Sequence, residues 1–377
     1  MEKLILIKFG ELSTKGDNRK QFIKQLISNI KNLIKTDFEI IQKHDRLYLK
    51  GDISLLKKGL SYIFGIQGYA EAVHVENDLE KIKAALLKLE PAQTFKIITK
   101  RANKNFPYSS TEMNNLLGAY LLEKTKMTVD VHNPELKITV EIRNEGTFIY
   151  PKEEKGLGGY PVSIQGNAVL MLSGGLDSPV AGYLAMKRGI NLICLYFDSP
   201  PHTSEGARQK VIELGQVLNK YSGNLKLLIV PLTEIQEQIY KTIPLDYNIT
   251  ILRRMMYRIS SQIERIIING ESIGQVASQT IDSIYVINQV TNQPVIRPLA
   301  CFDKLEIIEL AKKINTYEIS IRPYLDCCTV FLAKHPVIKP KLEKCLHYET
   351  LFDYQSLIEK AIKNIEEIDL NERNEWL

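Results

Sequence analysis

The spacing of apolar residues divides the chain into two parts. In the first 150 residues, short apolar runs alternate with stripes such as Phe22, Leu26 and Ile30. A stripe that repeats every three to four residues predicts an amphipathic helix. The mixed order of strands and helices predicts small α+β domains. Strands are predicted at 3–9, 38–41, 47–49, 69–75, 95–99, 128–131, 137–143 and 147–150, and helices at 18–34, 54–64, 79–89 and 110–124.

From residue 166 onward, uninterrupted apolar strands alternate with helices. Strands that are apolar on both faces are typical of a parallel sheet covered by helices on both sides. The predicted fold class is therefore α/β, with a C-terminal doubly wound parallel sheet preceded by α+β domains. Strands are predicted at 168–172, 192–197 and 225–230, and helices at 179–188, 204–220 and, in a charged stretch, 357–375.

Length and charge narrow the class of protein. The 377 residues suffice for two or three domains, each with its own core. No apolar run approaches the roughly 20 residues that span a bilayer, and the first apolar run is too short for a signal peptide. Residues 1–160 carry 26 Lys and Arg against 20 Asp and Glu, whereas the remainder carries 23 against 24. The excess fits an N-terminal module that faces nucleic acid, although lysines that only solvate a surface would produce it too.

The positions of cysteine and histidine bear on the cellular compartment and on metal binding. The five cysteines and six histidines fall at no spacing that is typical of a disulfide framework or a zinc site. We therefore expect a reduced, cytoplasmic protein without a metal site.

The most informative stretch is 172–179, Leu-Ser-Gly-Gly-Leu-Asp-Ser-Pro, between a predicted strand and a predicted helix. Its two glycines permit a tight turn that brings backbone N–H groups against a phosphate, and its two serines can donate hydrogen bonds. The helix N-terminus behind the turn favours an anion. Asp177 is suited to Mg²⁺ or to positioning a nucleotide. No Gly-Lys-Ser/Thr follows, so this is not a Walker A loop.

This Ser-Gly-Gly-x-Asp-Ser loop resembles the PP-loop of the ATP pyrophosphatase superfamily, whose members cleave ATP between the α and β phosphates and adenylate an oxygen. Essentially the whole chain resembles the tRNA 4-thiouridine synthetases (tRNA sulfurtransferases), in the short form without a rhodanese domain. The stretch 7–22 is similar to their ferredoxin-like leader, and 54–150 has the layout of a THUMP domain. Further matching stretches are 253–256, 270–280, 294–299, 303–304 and 321–330.

The resemblance implies a domain order and an activity. It implies a ferredoxin-like domain at 1–53, a THUMP RNA-binding domain at 54–152, a linker at 153–165 and a PP-loop domain at 166–377. The implied enzyme uses ATP and Mg²⁺ to adenylate O4 of uridine 8 in tRNA and replaces it with persulfide sulfur. Its implied partners are tRNA, a cysteine desulfurase or another persulfide donor, and a second copy in a homodimer. Two alternatives stay open: another PP-loop tRNA-modifying ligase, such as a 2-thiouridine enzyme, and a non-catalytic RNA-binding protein.

The resemblance also implies roles for single residues. Cys328 matches the catalytic cysteine, and Asp177 acts with Lys304 beside the departing pyrophosphate. Lys304 has a second interpretation as a solvated lysine, because Asp303-x-x-Glu306 forms a capping box at a helix start. The positions that match ATP contacts are Met171, Leu172, Ser173, Gly174, Gly175, Asp177, Ser178, Tyr196, Phe197, Arg253, Gly270 and Gln279.

The remaining cysteines are weighed by their setting. A persulfide carrier needs an accessible thiol that ionises. Cys194 lies in the middle of a predicted strand and is expected to be an inert core residue. Which of Cys327, Cys301 and Cys345, if any, is the second thiol stays open. So do the sulfur donor and a role in thiamine synthesis, which the rhodanese part supports in longer relatives.

Overall fold

The structure is a computed structural model that describes residues 1–324, 327 and 333–371. The chain forms two compact units. One comprises Met1–Lys24 and Ile30–Gly159, and the other comprises Gln25–Asn29 and the chain from Tyr160 onward. In the described ranges, no helix has both the length and the apolar character that crossing a membrane requires.

The first unit is built on a mixed sheet. Its helices are α1 (Arg19–Leu33, apart from Gln25–Asn29), α2 (Ile53–Leu60), α3 (Leu79–Leu86) and α4 (Ser110–Lys124). Its strands are β1 (Glu2–Phe9), β2 (Phe38–Gln42), β3 (Arg46–Gly51), β4 (Ile66–Val75), β5 (Thr94–Arg101), β6 (Thr128–Val129), β7 (Leu136–Arg143), β8 (Gly146–Tyr150) and β9 (Glu154–Lys155). Over the described residues, these nine strands have the order β2-β3-β1-β4-β8-β7-β5-β6, with β9 paired to β4.

This sheet continues across the two N-terminal domains that the sequence predicts. Strand β4 pairs with β1 on one side and with β8 on the other, where Val73 lies opposite Ile149. The apolar run of β1 is buried as predicted, with Ile5, Leu6 and Ile7 fully covered. The first part of the predicted linker is β9, which pairs antiparallel with β4 and is therefore hydrogen-bonded to the sheet.

The second unit has the predicted alternation of strands and helices. Its strands are β10 (Asn167–Met171), β11 (Asn191–Asp198), β12 (Lys226–Pro231), β13 (Ile267–Ile268), β14 (Val295–Ile296) and β15 (Glu366–Asp369). Its helices are α5 (Asp177–Lys187), α6 (Glu205–Ser222), α7 (Thr233–Thr242), α8 (Asn248–Ile263), α9 (Ile281–Asn288), α10 (Lys304–Lys313), α11 (Tyr317–Ser320), α12 (Leu342–Glu349) and α13 (Tyr354–Lys363).

The strand order of this second sheet creates a crevice. Along the described chain the order is β14-β13-β10-β11-β12-β15, and the pairs from β14 to β12 are parallel. The chain runs outward from β10 to β12 and then returns to place β13 on the other side of β10. Open α/β sheets bind ligands at the carboxyl ends of strands at such a reversal. The predicted doubly wound parallel sheet is confirmed, and its reversal lies between β10 and β13.

The predicted helix over 357–375 is wrong after Lys363, over the described residues that continue to 371. Helix α13 ends at Lys363, and β15 then pairs antiparallel with β12, so that Leu228 faces Glu367. Leu370, directly after β15, is fully buried. Charged residues are common on exposed edge strands, where they discourage pairing with another chain. The charged residues of this stretch favoured a helix in the sequence analysis, although four of the residues form the edge strand β15.

Candidate functional site

A cavity lies at the reversal point, beyond the carboxyl ends of β10, β11 and β13. Its wall combines the loop after β10, the end of β11, one side of α8 and the segment that follows β13. The lining residues are Met171, Leu172, Ser173, Asp177, Ser178, Tyr196, Phe197, Arg253, Met256, Asn269, Gly270, Glu271, Gln279 and Cys327.

The loop between β10 and α5 is closed by its own serines. The Ser173 N–H donates to Oγ of Ser178 at 2.8 Å, and the two hydroxyl oxygens are 3.2 Å apart. The Gly175 N–H donates to Oγ of Ser173 at 3.3 Å. These bonds tie the end of the strand to the first turn of α5, which begins at Asp177. The positive end of the helix dipole is thereby held at the cavity.

Gly270 sets the distance between this loop and the segment after β13. A Cβ at position 270 would lie 2.6 Å from the carbonyl carbon of Asp177 and 2.6 Å from the nitrogen of Ser178. Both contacts are to backbone atoms, which cannot move aside as a flexible side chain would. Glycine is therefore required here by close approach of two backbones.

Lys304 reaches the site through Asp177. Its Nζ lies 2.7 Å from Oδ1 of Asp177, and Nε2 of Gln275 donates to Oδ2 at 3.0 Å. Lys304 is the first residue of α10, and Asp303 and Glu306 form the predicted capping box. The capping box is therefore confirmed. Lys304 nevertheless also forms an ion pair with Asp177, which lies 127 positions earlier in the sequence.

Arg253 is anchored by a buried carboxylate. Glu271 forms ion pairs with Arg253 and with Arg297, the second at 2.7 Å, and accepts a hydrogen bond from Tyr257 at 3.1 Å. Burial alone would raise the pKa of the Glu271 carboxyl, but the two guanidinium groups outweigh burial and hold that pKa below its ordinary value. A buried, ionised carboxylate thus fixes Arg253 on the cavity wall.

The cavity wall combines apolar and polar groups. Tyr196 and Phe197, from the end of β11, are buried and supply aromatic surface. Oε1 of Gln279 is buried and has no hydrogen-bond partner in the described part of the chain. A buried amide oxygen without a partner costs stability, so it is a feature expected where a ligand supplies the missing donor.

The structure brings most of the predicted site residues together. Gly174 and Gly175 form the turn of the loop, where Oγ of Ser320 donates to the Gly175 carbonyl at 3.3 Å. Cys328 lies outside the described residues. The ten other residues predicted to contact ATP all line the cavity: Met171, Leu172, Ser173, Asp177, Ser178, Tyr196, Phe197, Arg253, Gly270 and Gln279.

Sequence reasoning missed several residues of the wall. Met256, Asn269 and Glu271 line the cavity but were assigned no role. Glu271 adjoins Gly270 within a stretch that already matched the family, and that match is the one sequence signal that could have drawn attention to it. Nothing local in the sequence signals that Gln275 contacts Asp177.

The cysteines differ strongly in their surroundings. Cys327 is buried and lines the cavity, and Cys301 is exposed. Burial raises the pKa of the Cys194 thiol to about 12 and that of the Cys345 thiol to about 11. Cys194 is confirmed as a core residue of β11. Both buried thiols stay protonated near neutral pH and are poor nucleophiles.

Three sequence families match the chain in order. The ThiI ferredoxin-like domain matches residues 4–70, the THUMP domain matches 76–151, and the family described as thiamine biosynthesis protein (ThiI) matches 163–354. Together with the cavity, these matches define an α/β enzyme that carries an RNA-binding type of N-terminal module.

Full-length relatives point to one family. The chain is 47% identical to a probable tRNA sulfurtransferase of Listeria monocytogenes, over 97% of this chain and 95% of that protein. It is also 47% identical to the probable tRNA sulfurtransferase of Bacillus licheniformis, over 99% and 97%. A crystal structure of a 4-thiouridine synthetase in complex with RNA and bound ATP superposes with a TM-score of 0.90 at 38% identity, covering 98% of this chain and all of that one. The chain belongs to the tRNA sulfurtransferase family and is an enzyme of the transferase class.

The reactivity of the cysteine thiols tests the burial of Cys194 and Cys345 directly. We expect iodoacetamide at about pH 8 to label Cys301 at least 10-fold faster than Cys194 or Cys345, because only thiolates react and both buried thiols titrate far above that pH. Peptide mass spectrometry gives the rates, and labelling in urea serves as the control in which all three react. Labelling of Cys345 in the native protein as fast as Cys301 would contradict the described burial.

Proposed function

We propose that this protein transfers sulfur to uridine 8 of tRNA, first adenylating O4 with ATP and then replacing it with persulfide sulfur to give 4-thiouridine. One observation carries the proposal: a single cavity joins the Ser173–Ser178 loop, Arg253 and Cys327. The phosphate-type loop and a cysteine thus meet in one place, as the two halves of such a reaction require. The bound ATP in the related 4-thiouridine synthetase supports the same assignment.

ATP fits the chemistry of the cavity wall. The loop and the N-terminus of α5 suit the phosphates, because N–H groups and the helix dipole favour anions. Arg253 adds a cation whose position is fixed by Glu271. Tyr196 and Phe197 offer a surface for the base. Oε1 of Gln279, which has no partner among the described residues, can accept from an amino or hydroxyl group of the nucleotide.

Asp177 is the residue that would hold Mg²⁺. It is a partly exposed carboxylate at the start of α5, whereas Glu271 is already saturated by two arginines. Hard oxygen ligands together with substrate phosphates are what Mg²⁺ prefers. When bound there, the ion would neutralise phosphate charge.

The first half-reaction is adenylation. Uridine O4, made nucleophilic by loss of the N3 proton to solvent, attacks the α-phosphorus of ATP. The bond from that phosphorus to the oxygen that bridges to the β-phosphate breaks, and pyrophosphate leaves with the bonding electrons. Lys304, held against Asp177 at 2.7 Å, stabilises the negative charge that develops on this leaving group.

The second half-reaction replaces oxygen with sulfur. The terminal sulfur of a persulfide on Cys328 attacks C4, the C4–O4 bond breaks, and AMP leaves carrying O4. A second thiolate then attacks the Cys328 sulfur, which releases 4-thiouridine and forms a disulfide. Buried Cys345 is a poor candidate for that second thiol, so we propose Cys327 on the cavity wall or exposed Cys301.

The partners follow from the same proposal. The THUMP and ferredoxin-like domains, together with the net positive charge of residues 1–160, suit contact with tRNA phosphates. A cysteine desulfurase or another persulfide donor supplies the sulfur. We further propose that the enzyme works in the cytoplasm as a homodimer, as its resemblance to the family implies.

The close approach at Gly270 predicts a binding defect. We expect Gly270→Ala to weaken ATP binding by about 10- to 100-fold, because the new methyl group must displace the Asp177–Ser178 backbone. Isothermal titration with ATP and Mg²⁺ measures the change. Gly118→Ala, on α4 where a Cβ meets nothing within 4 Å, is the matched control and should bind as the wild type does. Wild-type affinity in Gly270→Ala would contradict the role given to this contact.

A substitution of Cys328 should abolish sulfur transfer and leave adenylation intact. We expect Cys328→Ser to release pyrophosphate from ATP in the presence of tRNA at close to the wild-type rate, yet to form no 4-thiouridine, because only the second half needs the thiol. A coupled pyrophosphate assay and nucleoside mass spectrometry follow the two halves. Lys304→Met is the complementary variant and should slow pyrophosphate release. Normal thiolation by Cys328→Ser would overturn the assignment of this cysteine.

A further inference from the structure

A chain of buried polar groups leads from the end of β11 to Cys327. Oγ1 of Thr203 donates to Asp198 at 2.7 Å and accepts from the Ser199 N–H at 3.0 Å. Oγ of Ser199 donates to Oε1 of Gln236 at 2.6 Å, and Nε2 of Gln236 donates to the carbonyl oxygen of Cys327 at 2.7 Å. Four consecutive hydrogen bonds thus connect a strand end, a helix and the cysteine segment.

The hydrogen bonds of Ser199 and Gln236 are shielded from water. Ser199 is fully buried and Gln236 on α7 is 3% exposed, so water does not compete for their hydrogen bonds. The amide of Gln236 uses its oxygen toward the hydroxyl and its nitrogen toward the carbonyl. An ionised carboxylate of the same shape has no hydrogen to donate to that carbonyl, and an apolar side chain removes this donor as well.

A second buried side chain holds the segment just upstream. Nζ of Lys210, on α6, donates to the carbonyl oxygens of Arg322 at 3.3 Å and of Tyr324 at 3.1 Å. Lys210 is 3% exposed, and a Cβ on nearby Gly206 would lie only 2.4 Å from the ring of Tyr324. The backbone at Arg322 and Tyr324 is therefore held against α6, and Gln236 holds the backbone of Cys327.

Gln236 acts next to the cavity without being part of its wall. Cys327 and Phe197 both line the cavity, and Ser199 lies two residues after Phe197 on the chain. Gln236 is absent from the described residues that form the wall. Its amide therefore fixes the cysteine backbone relative to the strand end that supplies the aromatic surface, and leaves the nucleotide contacts to other residues.

We propose that Gln236 is a positioning residue for the sulfur-transfer half-reaction. It holds the backbone of Cys327, the residue directly before the proposed nucleophile, at the distance from β11 that sulfur transfer needs. The proposal rests on the proposed function. It assigns Gln236 to the second half-reaction only, since misplacement of a reacting group by about 1 Å can cost on the order of 100-fold in rate.

The test compares both half-reactions in Gln236→Leu and Gln236→Glu. We expect single-turnover formation of 4-thiouridine to fall by about 10- to 100-fold in each, with pyrophosphate release and the KM for ATP staying within about threefold of the wild type. As the pH is lowered from about 8 to about 6, Gln236→Glu should recover relative to the wild type, because a protonated carboxyl can donate to the Cys327 carbonyl. Gln236→Leu should not recover.

Gln238→Leu is the matched control, because positions two apart on a helix face different directions, and it should thiolate tRNA normally. An equal fall of pyrophosphate release and thiolation in the Gln236 variants would overturn the proposal, since a merely structural role affects both halves. Wild-type thiolation in both variants would overturn it as well. Failure of the wild-type protein itself to form 4-thiouridine would instead overturn the proposed function, and this inference with it.

Discussion

The backbones of Gly270 and of Asp177–Ser178 lie so close that no side chain fits between them. This contact joins the segment after β13 to the first turn of α5, at the point where the strand order reverses. Because this contact holds the segment that carries Glu271 and Gln279 against the loop after β10, both residues line the same cavity as that loop. The arrangement of the cavity depends on a glycine whose role is steric rather than chemical.

Two sets of charges then give the cavity its electrostatic character. Glu271 is buried and saturated by Arg253 and Arg297, so it serves as an anchor and leaves a fixed positive group on the wall. Asp177 is more exposed and is shared by Lys304 and Gln275, so it can exchange partners when a charged substrate arrives. Removing one member of a buried ion pair typically costs about 3–5 kcal/mol, so the Glu271 cluster contributes to the stability of the fold. The Asp177–Lys304 pair is partly exposed and contributes less.

Much of this could be predicted from the sequence because the informative features are local. The loop at 172–179 is recognisable from eight consecutive residues. The strand that ends at Tyr196 and Phe197 is recognisable from one apolar run. The contacts between Gln236 and Cys327, or Arg297 and Glu271, join residues 91 and 26 positions apart, and only the folded sheet brings them together. Strand β15 was missed for a related reason: its residues have no strand pattern of their own, and pairing with β12 determines their conformation.

We propose that one cavity performs both adenylation and sulfur transfer on tRNA. The most direct measurement is nucleoside mass spectrometry of a tRNA without thiolated bases, after incubation with the protein, ATP and Mg²⁺, a cysteine desulfurase and cysteine. We expect 4-thiouridine to form, and to disappear when ATP is omitted. Formation of 4-thiouridine without ATP, or its absence while pyrophosphate is still released, would contradict the account.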